Sequence, residues 1–130
     1  MNAPKNALAV AQACLQAYVD KDREALEALV AEDFRFTSPL DNGLDRAEYF
    51  KRCWPNSESM SAATVTESAQ QGDKAFVVYE AAASGKRFRN CEMHTVRNGQ
   101  LVAVEVYFGW DLPHPAAPGG FVPGGGQGSG

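Results

Sequence analysis

From Asn6 to Asp20 the apolar residues Leu8, Ala11, Leu15 and Tyr18, with Val10 and Cys14 beside them, recur at three- and four-residue steps, the spacing of an amphipathic helix. Pro4 stands at its start, where proline is tolerated. Asp22 can cap a second short helix, Arg23 to Val30, whose stripe is Leu26, Leu29 and Val30. The run Phe34 to Ser38 then alternates with period two, and Pro39 followed by Asp41-Asn42-Gly43 turns this strand into a loop. Asp45 with Glu48 three residues on is a capping-box pattern for a third helix carrying Ala47, Phe50, Cys53 and Trp54, which stops before Pro55.

After residue 60 the period changes. Ala62 to Gln71, Lys74 to Ser84, Lys86 to Arg97 and Gln100 to Trp110 read as strands, punctuated by Gly72-Asp73, Gly85 and Asn98-Gly99. Helices followed by a meander predict an α+β fold in which three N-terminal helices cover one face of a curved antiparallel sheet, with a ligand-sized concavity between the layers. The stretch from Pro113 to Gly130 holds four of the seven prolines and seven of the twelve glycines, so residues 1–112 are expected to form the domain and 113–130 an irregular tail. Phe121-Val122 could anchor that tail on the domain or on a partner subunit.

Length and charge narrow the partners. At 130 residues one core can bury about two thirds of the unfolded surface, and a second domain has no room. A net charge of −4 argues against nucleic acid or an anionic membrane as partner, and the one basic cluster, Lys86-Arg87-Phe88-Arg89, reads as a solvated strand edge. Three cysteines without metal-type spacing, and no signal-peptide or membrane-span pattern, make a reduced cytoplasmic setting the default. His94 and His114 are too far apart to start a metal site, and no phosphate-binding glycine loop precedes a helix, so no cofactor is expected.

The order of elements, together with Ala31 to Pro39 (AEDFRFTSP) and Arg97 to Trp110 (RNGQLVAVEVYFGW), resembles the NTF2-like superfamily in its SnoaL-like branch, over about residues 6 to 111. The resemblance implies a cone, a bent sheet wrapped on three helices around a pocket, and a superfamily that spans ketosteroid isomerases, polyketide cyclases, epoxide hydrolases and non-catalytic modules. Matched on AEDFRFTSP, Ser38 stands where the ketosteroid isomerases, a worked example of tuned carboxylates, keep their base aspartate, and Cys14 where their tyrosine donor stands, with Tyr18 one turn later. Val106 occupies the place of the water-activating aspartate of the epoxide hydrolases. Both named chemistries thus lack their key group.

What remains is an apolar face of Val102, Val104, Val106, Phe108 and Trp110, joined by Phe34, Phe36 and Ser38, with Tyr18 projecting from the first helix and Trp54 as lid or core filling. Asp41 and Asn42 lie near the expected pocket mouth, though Asp-Asn-Gly is also ordinary turn chemistry. One stretch, Cys91 to Gln100 (CEMHTVRNGQ), sets Glu92 two residues before His94. If Asn98-Gly99 makes a two-residue turn, Val96 pairs with Leu101, His94 with Ala103 and Glu92 with Glu105, away from the valine row. If a three-residue loop with a glycine bulge forms, His94 meets Val102 and Glu92 meets Val104, and both enter the pocket.

The inward register makes His94 a general base or acid oriented by Glu92, with Tyr18 or Ser38 as hydrogen-bond donor, in an isomerase, cyclase or lyase acting on a small hydrophobic organic molecule. The outward register makes Glu92, His94, Glu105 and Tyr107 a polar patch on a dimer face, and the lost aspartates then favour a non-catalytic binding or association module. A homodimer is expected in both.

Overall fold

A computed structural model describes residues 6–123; Pro4 and the glycine-rich end of the tail lie outside the described residues. Helix α1, Ala7–Asp20, begins where the Asn6 side chain accepts from the backbone N–H of Ala9, and ends at Lys21 in the left-handed conformation. Asp22 caps α2, Arg23–Leu29, in the same way through the N–H of Ala25, and Asp45 caps α3, Arg46–Arg52, through that of Glu48. Val30, expected to end α2, instead opens strand β1, Val30–Ser38, because its backbone is already extended.

The segment Asp41-Asn42-Gly43, expected to be loop, is strand β2, Asp41–Leu44, which doubles back on β1 with Ser38 opposite Asp41. Only two of the three helices therefore precede the first strand, and α3 follows the β1–β2 hairpin. Residues Trp54–Ser59 form a 3₁₀ helix entered through Pro55. Strands β3 (Met60–Gln71), β4 (Lys74–Ala83), β5 (Lys86–Arg97) and β6 (Gln100–Leu112) make the expected meander, and residues 113–123 continue as turns.

The six strands form one sheet in the order β2-β1-β6-β5-β4-β3. Its β1–β6 pairing is parallel, with Phe36 opposite Val104, so the sheet is mixed and not wholly antiparallel as expected. A chain that runs through six intervening elements before returning to its first strand can pair in either sense, whereas a tight hairpin allows only one. The core lies between the inner face of this sheet and the helices: Val10, Ala11 and Cys14 of α1 and Leu26 of α2 pack with Phe34, Phe50, Ala75 and Val77. Arg89 and Arg87 of the basic cluster pair with Glu80 across β4 at 2.8 and 3.9 Å.

Candidate functional site

The β5–β6 hairpin settles the orientation of Glu92 and His94 by combining features of both expected registers. Asn98 (φ 53°) and Gly99 (φ 77°) both adopt left-handed backbone, giving a two-residue turn in which Arg97 faces Gln100 and Val96 faces Leu101. The ladder then slips by one residue, so that Thr95 faces Ala103, His94 faces Val104 and Glu92 faces Val106. Val102 is the extra residue of this bulge. It changes the phase of β6 and leaves that of β5 alone, which brings Leu101, Val104 and Val106 onto one face with Val96, His94 and Glu92.

That face is the inner one. Glu92 and His94 therefore cannot join Glu105 and Tyr107 in an outward patch; those two hydrogen bond to each other on the opposite side, with Tyr107 53 % exposed. Val102, expected in the valine row, is displaced by the bulge, and Leu101 takes its place beside the cavity.

The cavity is about 360 Å³, at the lower end of the range for small-molecule sites. Of the residues singled out in the sequence, Tyr18, Phe36, Ser38, Glu92, His94, Val104, Val106 and Phe108 line it, as does Cys14. Trp54 and Trp110 do not. Trp54 packs edge-on against the Tyr18 ring at 5.1 Å, bracing it from behind, and Trp110 is half-exposed near Arg89 and His114.

His94 is 2 % exposed, and its Nε2 lies 2.8 Å from Oε1 of Glu92. The other carboxylate oxygen of Glu92 accepts a hydrogen bond from the Tyr79 hydroxyl at 2.7 Å, and that hydroxyl accepts from Nδ2 of Asn90 at 3.3 Å. In the tautomer that turns the Nε2 hydrogen to the carboxylate, Nδ1 presents its lone pair, and this buried atom has no partner among the described residues. A second relay runs from the Tyr49 hydroxyl to that of Tyr18 at 3.4 Å and on to the carbonyl of Cys53 at 3.1 Å. At the mouth, Ser38 donates to Asp41 at 3.0 Å while Nε of Arg52 holds the other oxygen of Asp41 at 2.5 Å.

Tyr49, Tyr79 and Asn90 were not anticipated in the site. For Tyr79 and Asn90 a signal existed: a two-residue turn at Ser84-Gly85 places Tyr79 opposite Asn90, two residues before Glu92 and on the same face. Tyr49 carries no such signal, because it depends on how α3 lies across β1. Asp41, read as turn chemistry, lines the mouth from β2.

Burial pushes the Cys14 thiol up to about 12, with the nearby Glu92 carboxylate adding to the effect, and burial likewise raises Cys53 to about 11. The phenols of Tyr18, Tyr49 and Tyr79 are raised chiefly by the same desolvation. All five groups bind their protons more firmly folded than unfolded. Their contribution to stability is complete below pH 9, the ordinary thiol value, and is lost as pH climbs through the raised values. Denaturant midpoints measured from pH 8 to 11 are expected to hold until about pH 9 and then fall; a midpoint unchanged to pH 11 would contradict the buried thiols and phenols. Iodoacetamide is expected to label Cys91, on the outer face of β5, ahead of the buried Cys14 and Cys53, as read by peptide mass analysis.

No group of three or more His, Cys, Asp or Glu could hold a metal ion among the described residues, and no helix there is long and apolar enough to cross a membrane. The family model of the SnoaL-like domain matches residues 11–104. No curated protein matches the chain. Solved structures with the same fold include an NTF2-like protein of unknown function from Cytophaga hutchinsonii, with a TM-score of 0.69, 17 % identity, and coverage of 84 % of this chain and 95 % of that one. A candidate ketosteroid isomerase from Kribbella flavida superimposes with a TM-score of 0.67 at 21 % identity, covering 84 % and 82 % of the two chains. An epoxide hydrolase from M. tuberculosis does so with 0.66 at 14 % identity, covering 79 % and 82 %.

Proposed function

The chain belongs to the SnoaL-like domain family of the NTF2-like superfamily, and from that premise we propose that its cavity takes a small apolar organic molecule and moves a proton on it without a cofactor. One observation carries this reading: the buried His94 has no partner for Nδ1 among the described residues while Glu92 holds Nε2. An unsatisfied buried polar atom costs about 1–3 kcal/mol, a cost that a ligand group in the cavity removes. In this role His94 Nδ1 takes a proton from the bound molecule and returns it at another atom, the work of an isomerase, cyclase or lyase. Glu92 is a positioning residue that fixes the imidazole tautomer, and Tyr79 in turn fixes Glu92.

Tyr18 and Ser38, expected as hydrogen-bond donors to substrate, have their hydroxyl protons on Cys53 and Asp41. That observation supports the second reading, a ligand-binding module without catalysis, because no wall hydroxyl is free to stabilise an oxyanion. The outer sheet face around Tyr107, exposed on the single chain, supports a homodimer, for which light scattering on the purified protein is the test.

Proton exchange separates the two readings. Small apolar ketones and hydroxyketones are incubated with the protein in D₂O, and deuterium incorporation is followed by NMR. Catalysed exchange on at least one compound is expected, reduced about 10²–10⁴-fold in His94→Gln. Glu92→Gln is expected to lower the rate and move its pH profile, which a purely structural role would leave in place. Equal exchange by wild type and His94→Gln across the panel sinks the catalytic assignment.

A further inference from the structure

Five hydroxyl groups face or rim the cavity, and every one of their protons is already engaged. Tyr49 donates to Tyr18, Tyr18 to the carbonyl of Cys53, Tyr79 to Glu92, Ser38 to Asp41, and Ser59 to the carbonyl of Asn56. The acceptors are not used up. A carboxylate has room for about four hydrogen bonds, whereas Glu92 receives one on each oxygen, from His94 and from Tyr79. His94 Nδ1 receives none. Among strong donors in the wall, the second amide hydrogen of Asn90 and the side-chain amide of Asn56, an exposed residue of the 3₁₀ helix, are left over.

Charge points the same way. The charged residues of the lining are Asp41 and Glu92, with neither lysine nor arginine among them. Asp41 is neutralised from outside by Arg52, while Glu92, with a side chain 13 % exposed, has only the imidazole of His94 and a phenol against it. The cavity that holds this carboxylate is also lined by the rings of Tyr18, Phe36, Tyr49, Tyr79, Phe88 and Phe108. Aromatic faces attract cations, and an acceptor-rich, negatively charged wall repels anions.

We infer that the cavity selects an apolar ligand whose polar end donates hydrogen bonds, a protonated amine ahead of an alcohol and a carboxylate last. The ammonium or hydroxyl hydrogens meet Glu92 and His94 Nδ1, and the hydrocarbon part lies against the aromatic rings and Val104 and Val106. This specificity rests on the reading of the cavity as a ligand site and adds the chemistry of what enters it.

The probes are naphthylmethylamine, naphthylmethanol and naphthoate, which share one ring system and differ in the charge of the polar end. Calorimetry at neutral pH is expected to show the amine binding about tenfold or more tightly than the alcohol, the worth of a hydrogen bond to a charged group. The carboxylate is expected to bind more weakly than either. Glu92→Gln should collapse the lead of the amine over the alcohol, and Tyr79→Phe, which returns one lone pair to Glu92, should widen it; circular dichroism checks that both variants are folded.

Naphthoate binding as tightly as the amine overturns the inference, since it means that His94 Nδ1 presents a proton and not a lone pair. Equal affinity of amine and alcohol overturns it as well, and leaves the cavity as an uncharged ligand site. If none of the three binds, the ligand-site reading and the specificity fall together.

Discussion

Replacing Phe34 with alanine is expected to lower the unfolding free energy by about 3–5 kcal/mol, the range for removing a fully buried phenyl ring. Phe34 is 0 % exposed and is one of the largest fully buried side chains described. Its ring meets that of Tyr49 edge-on at 5.0 Å, and Tyr49 donates to Tyr18 in the cavity wall. The truncation therefore leaves a void behind the site as well as in the core. Since small domains have about 5–15 kcal/mol in total, such a loss brings the protein near the limit of folding. Urea denaturation followed by tryptophan fluorescence measures it. Phe36→Ala, at a half-buried position whose side chain borders the cavity, is the matched control and should cost less. A Phe34→Ala penalty no larger than that of Phe36→Ala would show that the ring is not a core anchor.

Gly109→Ala is expected to be nearly as damaging, about 3 kcal/mol, for the opposite reason: there is no room. A β-carbon at Gly109 would sit 2.1 Å from the carbonyl oxygen of Arg89 and 3.0 Å from its carbon, both backbone atoms of the neighbouring strand. The clash can be relieved only by parting β5 from β6 where the ladder is already irregular, between Phe88 and Asn90. That movement breaks the hydrogen bond from the N–H of Gly109 to Oδ1 of Asn90, and through Asn90 it frees the Tyr79 hydroxyl that braces Glu92. The variant should thus lose both stability and ligand affinity, read by denaturation and by naphthylmethanol titration. A folded Gly109→Ala protein with wild-type stability would mean that β5 and β6 are less closely apposed than described.

The helices were legible in the sequence because their starts are written in single residues. Asp22 and Asp45, read as caps, each place a side-chain oxygen on the third N–H downstream, a local interaction that owes nothing to the rest of the fold; Asn6, read as the first helical residue, proves to do the same. The hairpin turns were legible for a similar reason, since Asn98-Gly99 can take two left-handed residues in succession. Strand β2 and the parallel pairing of β1 with β6 were not, because both depend on partners distant in sequence, and the four residues of β2 carry turn chemistry as good as any loop's.

For Glu92 and His94 the local signals disagreed. The two-residue turn called for Val96 against Leu101, and the three-residue loop called for Glu92 and His94 inside the pocket. The structure satisfies both by inserting Val102 between them. A bulge of this kind bends its strand and raises the local twist, which ties it to the packing of the whole sheet and leaves no short window of sequence that contains its cause. The remainder of the site, Tyr79 with Asn90, required counting through a second hairpin; Tyr49 required the docking of a helix.

The position of β6 has a bearing on how the protein is made. The last of the described strands lies in the middle of the sheet, between β1 and β5. While residues 100–112 are still inside the ribosome, an emerging chain can form the β3–β4–β5 meander and the β1–β2 hairpin but cannot join them. Each piece then exposes, besides its permanent edge, one edge that β6 later covers, and an open apolar face, the arrangement that invites pairing with another chain. His94 and Glu92 are synthesised before the floor they stand on, and their surroundings exist only after the final strand has slid into the gap.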